Sequence, residues 1–439
     1  MDIKSIPSIR GLNLLRNAAP LIRRPLPRLQ ELVQKKGKII EFNGGKHQQL
    51  FFISDAEAVR HILKTNKKNF KRSPVIKALK PLLGDGIFIS EGETWKAQHS
   101  EMKPSFHEAQ IRSYEAVVRE ELQDLIDSWS THKMAFVIEK DIECMMLRIM
   151  VRSLLVCDLE LDYTEIVRHQ NDVLEKTSIQ TQKIQAFQQS FRKRAGLPPR
   201  RKKELTSATR LAQIATKILE HGRSHPEKCC FLLASMLNQN RSDASIRDAI
   251  LNLIFAGYDT TASALSWTLF ALANHPEEQE KVLTEVGENS ISVRDITAHP
   301  YTKQVVQEAM RLYPPVWSIH RQSVEETSFC GYQFPANGYF MICSYTLHRD
   351  PEYWEHPNLF YPDHFLPENM KGKAFQYIPF GQGERICIGR PMAMMELQFM
   401  VPTLLQKFEF STNQSKPDIK PGIIIKSRNG IRLSVQLRG

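Results

Sequence analysis

The sequence predicts a mainly α fold with small β-sheets (α+β), built as one large domain over residues 1–439. Three observations predict it. Helical patterns dominate from about Ser90 to Asn274, strand patterns collect at the two ends of the chain, and no linker, repeat or low-complexity tract divides it. With 42% hydrophobic and 24% charged residues, the chain has ample material for a core. Disorder, collagen and small disulfide scaffolds are excluded as descriptions of the whole.

Each element follows from local chemistry. Lys38–Phe42 and Leu50–Ser54 read as two strands around a turn containing Gly44 and Gly45. Ser54 and Glu57 stand at capping-box spacing, so Ser54 is expected to start a short helix. The longest helical candidate runs from Asp243 to Asn274, roughly 45 Å at 1.5 Å per residue, and His275-Pro276 stops it. Its apolar content invites a membrane-spanning reading. Asn252, Asp259, Thr260 and Thr261 in its middle oppose that, since a charge at a bilayer centre costs about 2.5–3.5 kcal/mol. A helix through a large protein core fits better. There Ala256 and Gly257 remove side-chain bulk, and the hydroxyl of Thr260 can bond back to the preceding turn and bend the helix. After Pro314 the strands SFCGYQFP, GYFMICSY and FEFS follow, and GIIIK and IRLSVQL are expected to close the chain as a hairpin through Asn429-Gly430.

Charge and cysteines narrow the class. Lys and Arg total 59 against 48 Asp and Glu, a net +11, with a pI of about 9.2. A basic surface suits an acidic protein, anionic lipid or nucleic acid. The densest basic segment carries Arg192, Lys193, Arg194, Arg200, Arg201, Lys202 and Lys203 around Pro198-Pro199, so it reads as a loop between helices. It is either a solvated turn or a contact for lipid headgroups. Nucleic acid is disfavoured as a partner, because aromatic residues for stacking are sparse there. Seven cysteines, odd in number and irregularly spaced, read as reduced intracellular thiols. The N-terminal residues show neither a signal peptide nor an anchor, so the expected location is cytoplasmic, with peripheral membrane contact through residues 192–203.

The strongest chemical signal is the loop holding Gly381, Gly383 and Gly389 around Cys387, followed by an apolar helix beginning near Met392. Small residues leave backbone N–H groups free to point at a thiolate, and the following helix N-terminus adds its dipole; both are expected to lower the thiol pKa. Arg385 stands two residues away, ready for an anion. A dinucleotide loop would need Gly at Ile386, a P-loop would need Lys-Ser/Thr after Gly389, and zinc would need a second Cys or His nearby. One soft thiolate remains, bound to an iron that brings its own donors, which is haem with a proximal cysteine.

These residues resemble the cytochrome P450 family of haem-thiolate monooxygenases, from about Leu50 to the C-terminus. Phe380-Gly381-Gln382-Gly383-Glu384-Arg385-Ile386-Cys387-Ile388-Gly389 is similar to the haem-loop signature, and Glu308-Ala309-Met310-Arg311 to the helix-borne ExxR pair. Pro362-Asp363-His364-Phe365 resembles the meander motif, with His364 where Arg is common. Ala256 to Thr261 resembles the oxygen-activation segment, and the Trp95 helix resembles the family's Trp-x-x-x-Arg helix with His99 in the Arg position.

The resemblance implies the cytochrome P450 fold, with the long central helix over haem b, and Cys387 as axial iron ligand. It places Trp95, His99, Arg321, Phe380, Arg385 and Gly389 at the haem, and locks the meander through Glu308, Arg311 and His364. It assigns Thr260 to holding bound oxygen and Asp259 to relaying protons. Phe255, Ala256, Val316, Trp317 and Ile319 would line an apolar substrate pocket. The wording is closest to fatty-acid and carotenoid or terpenoid hydroxylating branches. O2 would be co-substrate, and NAD(P)H electrons would arrive through a separate ferredoxin or flavodoxin docking on a basic face of a monomer. Lys96 and Lys103 are candidate contacts. The rival readings are a haem-thiolate isomerase or dehydratase, a peroxygenase, and a haem sensor; intact Asp259-Thr260 argues against the first two.

Overall fold

The computed structural model describes residues 4–438 apart from 11–16, 18–19, 22–23, 44–48, 133, 178–205 and 240. The basic segment 192–203 and the Gly44-Gly45 turn lie outside the described residues. The longer helices are α1 (Pro25–Lys36), α2 (Gly92–Met102), α3 (Glu115–Ser130), α4 (Glu139–Leu154), α5 (Tyr163–Thr177), α6 (Thr206–Ser224), α7 (Asp243–Gly257), α8 (Asp259–Ala273), α9 (Pro276–Val286), α10 (Pro300–Leu312) and α11 (Arg390–Lys407). The strands are β1 (Ser8–Arg10), β2 (Ile39–Asn43), β3 (Gln49–Ile53), β4 (Phe70–Arg72), β5 (Phe136–Val137), β6 (Ser318–Ser323), β7 (Thr327–Phe329), β8 (Tyr332–Phe334), β9 (Tyr339–Cys343), β10 (Phe408–Ser411), β11 (Ile419–Pro421), β12 (Ile425–Ser427) and β13 (Arg432–Leu437).

The largest sheet joins the two ends of the chain, in the order β1-β2-β3-β9-β6-β4. Its period-2 alternation divides the core. Ile40, Phe42 and Phe52 pack with Leu26, Leu29 and Leu32 of α1. Ile39, Phe51 and Ile53 face the other way, among Ala58, Val59, Phe334 and Phe340. Both faces are covered, which is why β2 and β3 read as near-continuous apolar runs. The helical core centres on α8, whose residues are nearly all buried, packed on α4, α10 and α11. Among the described residues no helix is long and apolar enough to cross a membrane.

Three local expectations are corrected. The short helix Ala56–Arg60 is capped by Asp55, whose carboxylate accepts from the Ala58 N–H at 2.8 Å. Ser54 instead donates to Thr346 Oγ1 at 2.8 Å in a buried contact. The long helix is two helices, because Tyr258 leaves helical geometry at φ −121°, ψ −44°. The C-terminal strands form no hairpin: β12 pairs with β11, while β13 pairs with β10 and β5. Asn429-Gly430 therefore connects two sheets. Gly430 has φ +78°, and a Cβ there would lie 2.7 Å from Val137 Cγ1, so the turn is packed against β5 rather than free to close a ribbon.

Asn252 explains one polar residue in the long helix. Its amide donates to the Leu83 carbonyl at 2.8 Å, and its carbonyl oxygen accepts from the Phe88 N–H at 3.0 Å. Asp248, one turn earlier, accepts from the Asp85 N–H at 3.0 Å. These side chains pin the 83–90 loop on α7, where a Cβ on Gly84 or Gly86 would come within 2.0 Å of them.

Candidate active site

The cysteine loop closes on itself. The Cys387 N–H donates to the Phe380 carbonyl at 3.0 Å, and the Ile386 N–H to the Gly383 carbonyl at 3.2 Å. Gly381 and Gly383 have φ of +71° and +77°, and a Cβ on Gly383 would fall 2.0 Å from the Leu63 carbonyl oxygen. The loop thus requires glycine at 383 for two separate reasons. Helix α11 begins at Arg390, two residues earlier than expected, with proline in its first turn.

The Cys387 sulfur opens to an internal cavity of about 1420 Å³. Burial pushes its thiol up, while the N–H groups of Gly389 and Arg390 pull it down; the net shift is upward. The loop's donors act in the expected direction, but burial outweighs them, so the expected lowering of the thiol is not reached by the donors alone. A stable thiolate here therefore calls for a directly bound cation. Among the described residues no group of three or more His, Cys, Asp or Glu could hold a metal ion.

One cavity wall is built from cations. Arg72, Arg321 and Arg385 all line it beside Trp95 and His99. Burial, then Arg385 and Arg321, push Arg72 down to about 9. Burial and Arg385 push Arg321 down to about 10. Arg385 donates to the Ser90 carbonyl at 2.8 Å and lies 4.2 Å over the Trp95 ring. His99 packs on Trp95 with ring centroids 4.9 Å apart; burial, Lys103 and Arg385 hold it toward the neutral form. Arg72 Nε is buried with no hydrogen-bond partner. Crowded, desolvated guanidiniums with an orphaned donor fit a ligand carrying carboxylates. A porphyrin with two propionates would fit both features, with Cys387 available to its iron and the arginines to its carboxylates. Arg72 escaped sequence reasoning because nothing near it in the chain marks it. Antiparallel pairing of β4 with β6 sets Arg72 opposite Arg321.

Phe255, Ala256, Thr260, Val316, Trp317, Ile319, Phe380 and Gly389 line the same cavity. Ala256 is open to it, whereas a Cβ on Gly257 would lie 3.1 Å from Met150 Cγ. Thr260 Oγ1 donates to the Ala256 carbonyl at 3.1 Å, across the break at Tyr258. Asp259 is buried outside the cavity lining, ion-paired to Lys426 Nζ at 2.8 Å. Lys426 also reaches Glu143 at 2.6 Å and Asn171 at 2.7 Å. Burial pushes the Asp259 carboxyl up; Lys426 opposes this and Glu143 adds to it. Lys426 was missed, although a lysine ending the apolar run GIIIK was a signal.

Away from the cavity, Glu308 and Arg311 on α10 are fully buried and doubly bonded at 2.7 Å. His364 Nδ1 contacts both carboxylate oxygens at 3.2 Å, and the Tyr361 N–H donates to Glu308 at 2.8 Å.

Comparison with known proteins agrees with this geometry. The family model described as Cytochrome P450 matches residues 11–434. The chain is 29% identical over 391 residues to rabbit (Oryctolagus cuniculus) cytochrome P450 4A6, covering 82% of this chain and 76% of the relative. It is 28% identical over 383 residues to cytochrome P450 4B1 of Rattus norvegicus, covering 80% and 74%. It is 27% identical over 407 residues to cyclooctat-9-en-7-ol 5-monooxygenase of Streptomyces melanosporofaciens, covering 90% and 87%. With its cysteine loop, buried Glu-Arg pair and broken central helix in one architecture, the chain belongs to the cytochrome P450 family of haem monooxygenases.

Proposed function

We propose that this single haem domain, residues 1–439, inserts one oxygen atom of O2 into an apolar substrate of the fatty-acid or terpenoid and carotenoid classes. The observation that carries this is one cavity lined both by the Cys387 sulfur and by the Ala256–Thr260 break in the central helix. Haem b held by Cys387 supplies O2 activation, and its thiolate favours O–O cleavage. Arg72, Arg321 and Arg385 hold the propionates, with Trp95 and His99 packed beside them. Phe255, Ala256, Val316, Trp317 and Ile319 bind the apolar substrate and exclude water from it.

Protons come from the polar side of α8. Lys426 stands between buried Asp259 and the surface, its side chain 24% exposed. Burial pushes the Asp259 carboxyl up against the pull of Lys426, so the pair can take up a proton on the Lys426 side and release it toward Thr260. The Thr260 hydroxyl, tied to Ala256, positions the acceptor of that proton. Electrons derive from NAD(P)H through a separate ferredoxin or flavodoxin. The domain acts as a monomer.

The test has two parts. Reduced, CO-bound protein should absorb near ~450 nm, and a folded protein absorbing near ~420 nm would remove Cys387 as ligand. With redox partners supplied, Thr260→Ala should keep substrate binding yet send electrons to peroxide. Tight coupling of electrons to product in that variant would refute the role of Thr260.

A further inference from the structure

The cavity contains a polar group that oxygen activation does not use. Ser318, His320 and Tyr339 all line it. His320 is buried between two hydroxyls, with Ser318 Oγ 3.0 Å from Nε2 and Tyr339 Oη 2.5 Å from Nδ1. The Tyr339 and His320 rings are parallel to within 7°. Pairing of β6 with β9 sets His320 opposite Met341 and Gln322 opposite Tyr339, so all four share one sheet face. Gln322 donates to the Asn337 carbonyl at 3.3 Å, and the other neighbours Phe42, Leu50, Met341 and Leu29 line the same cavity as apolar groups.

The hydrogen-bond arithmetic leaves one donor over. Burial first, then Arg321, pushes His320 down to about 4, so the ring is neutral. A neutral imidazole donates from one nitrogen and accepts at the other. One contact is therefore N–H to hydroxyl oxygen, and the other is hydroxyl to nitrogen. Ser73 acts on the Tyr339 oxygen as a donor, so of the two hydroxyl protons that face the ring only one is spent. The phenol is the more acidic hydroxyl and makes the shorter contact, so Tyr339 donates to Nδ1 and Nε2–H donates to Ser318. The Ser318 hydroxyl then has its proton to give, and Ser318 is only partly buried.

We propose that Ser318, His320 and Tyr339 form a neutral anchor that selects substrates already carrying one uncharged oxygen function, an alcohol or a ketone. A hydrocarbon leaves the spare donor unmatched. A carboxylate meets no free cation, because among the described cavity-lining residues the arginines are Arg72, Arg321 and Arg385, grouped at the wall assigned to the propionates. The inference thus rests on the haem-thiolate reading above and narrows its substrate class.

Spectral-shift titration of the haem-loaded protein with decane, 1-decanol and decanoic acid tests it. The alcohol should bind about five- to tenfold more tightly than either of the others. Ser318→Ala and Tyr339→Phe should each bring the alcohol-to-alkane ratio toward one, and Ser318→Thr should restore it. Equal affinities, tightest binding of the acid, no shift with the alcohol, or an alcohol preference that survives both substitutions would overturn the anchor. Protein lacking the ~450 nm CO band would fail the haem-thiolate reading instead.

Discussion

Arg311 spends all its N–H donors inside the fold. Two go to Glu308, and the others to the carbonyls of His348, Pro357 and Leu359 at 2.7–2.9 Å. His364 replaces the common arginine of the meander and still meets the Glu308 carboxylate, with Nε2 on the Glu355 carbonyl. Burial pushes the Glu308 carboxyl up, but Arg311 and His364 pull harder and hold it below its ordinary 4.5. Its folded state thus binds a proton less readily than the unfolded chain. The associated stability is complete above pH ~4.5 and is lost as pH falls through the lower folded value. Glu308→Gln should cost about 3–5 kcal/mol by leaving Arg311 and His364 unpaired. It should also flatten the acid limb of the thermal-midpoint curve relative to wild type. A variant with unchanged midpoint and unchanged reduced-CO spectrum would show that the pair holds neither fold nor haem.

At the scale of elements, the cysteine loop leaves no room for a side chain at Gly383. It lies on the helical turn His61–Thr65, and a Lys67–Glu384 ion pair at 2.6 Å fastens its edge. Gly383→Ala should therefore push the loop off Leu63 and lose haem, while Gly389→Ala, whose Cβ would sit 3.8 Å from Phe106, should retain it. Comparing haem content after identical purification checks this; equal retention by both variants would contradict it. The broken central helix shows a different logic. Asn252 and Asp248 point out of α7 to hold the 83–90 loop, and Asp259 points out of α8 to Lys426, while Ala256 and Thr260 face the cavity. One helix line thereby builds a pocket wall on one side and a proton source on the other.

At the scale of the molecule, charge is unevenly used. Arg72, Arg321 and Arg385 line the cavity, whereas exposed Lys96 and Lys103 lie near Glu384 and His99, beside the cysteine loop. On the proposed function, an acidic electron carrier docks on this face, beside the cysteine loop. Lys103→Glu should slow reduction by an acidic ferredoxin several-fold at low salt, and the difference from wild type should shrink as ionic strength rises. Stopped-flow reduction under CO measures both; a salt-independent difference would place the effect elsewhere.

Legible in the chain alone were the class of fold, the glycine-bracketed cysteine, the Glu308–Arg311 spacing and the polar pair Asp259-Thr260 in the long apolar run. All of these are encoded within a few neighbouring residues, where spacing and backbone freedom act directly. The sequence by itself misassigned the cap at Ser54 and the closing hairpin, because a cap and a strand partner depend on what else competes for the same hydrogen bonds. It did not show Arg72, Lys426 or the Ser318–His320–Tyr339 group. Arg72 meets Arg321 only when β4 pairs with β6, Lys426 meets Asp259 only when the C-terminal strands close over the long helix, and Ser318 and His320 meet Tyr339 only when β6 pairs with β9. Only tertiary structure decides which charges are brought out of water together, and that desolvation turns ordinary side chains into a site.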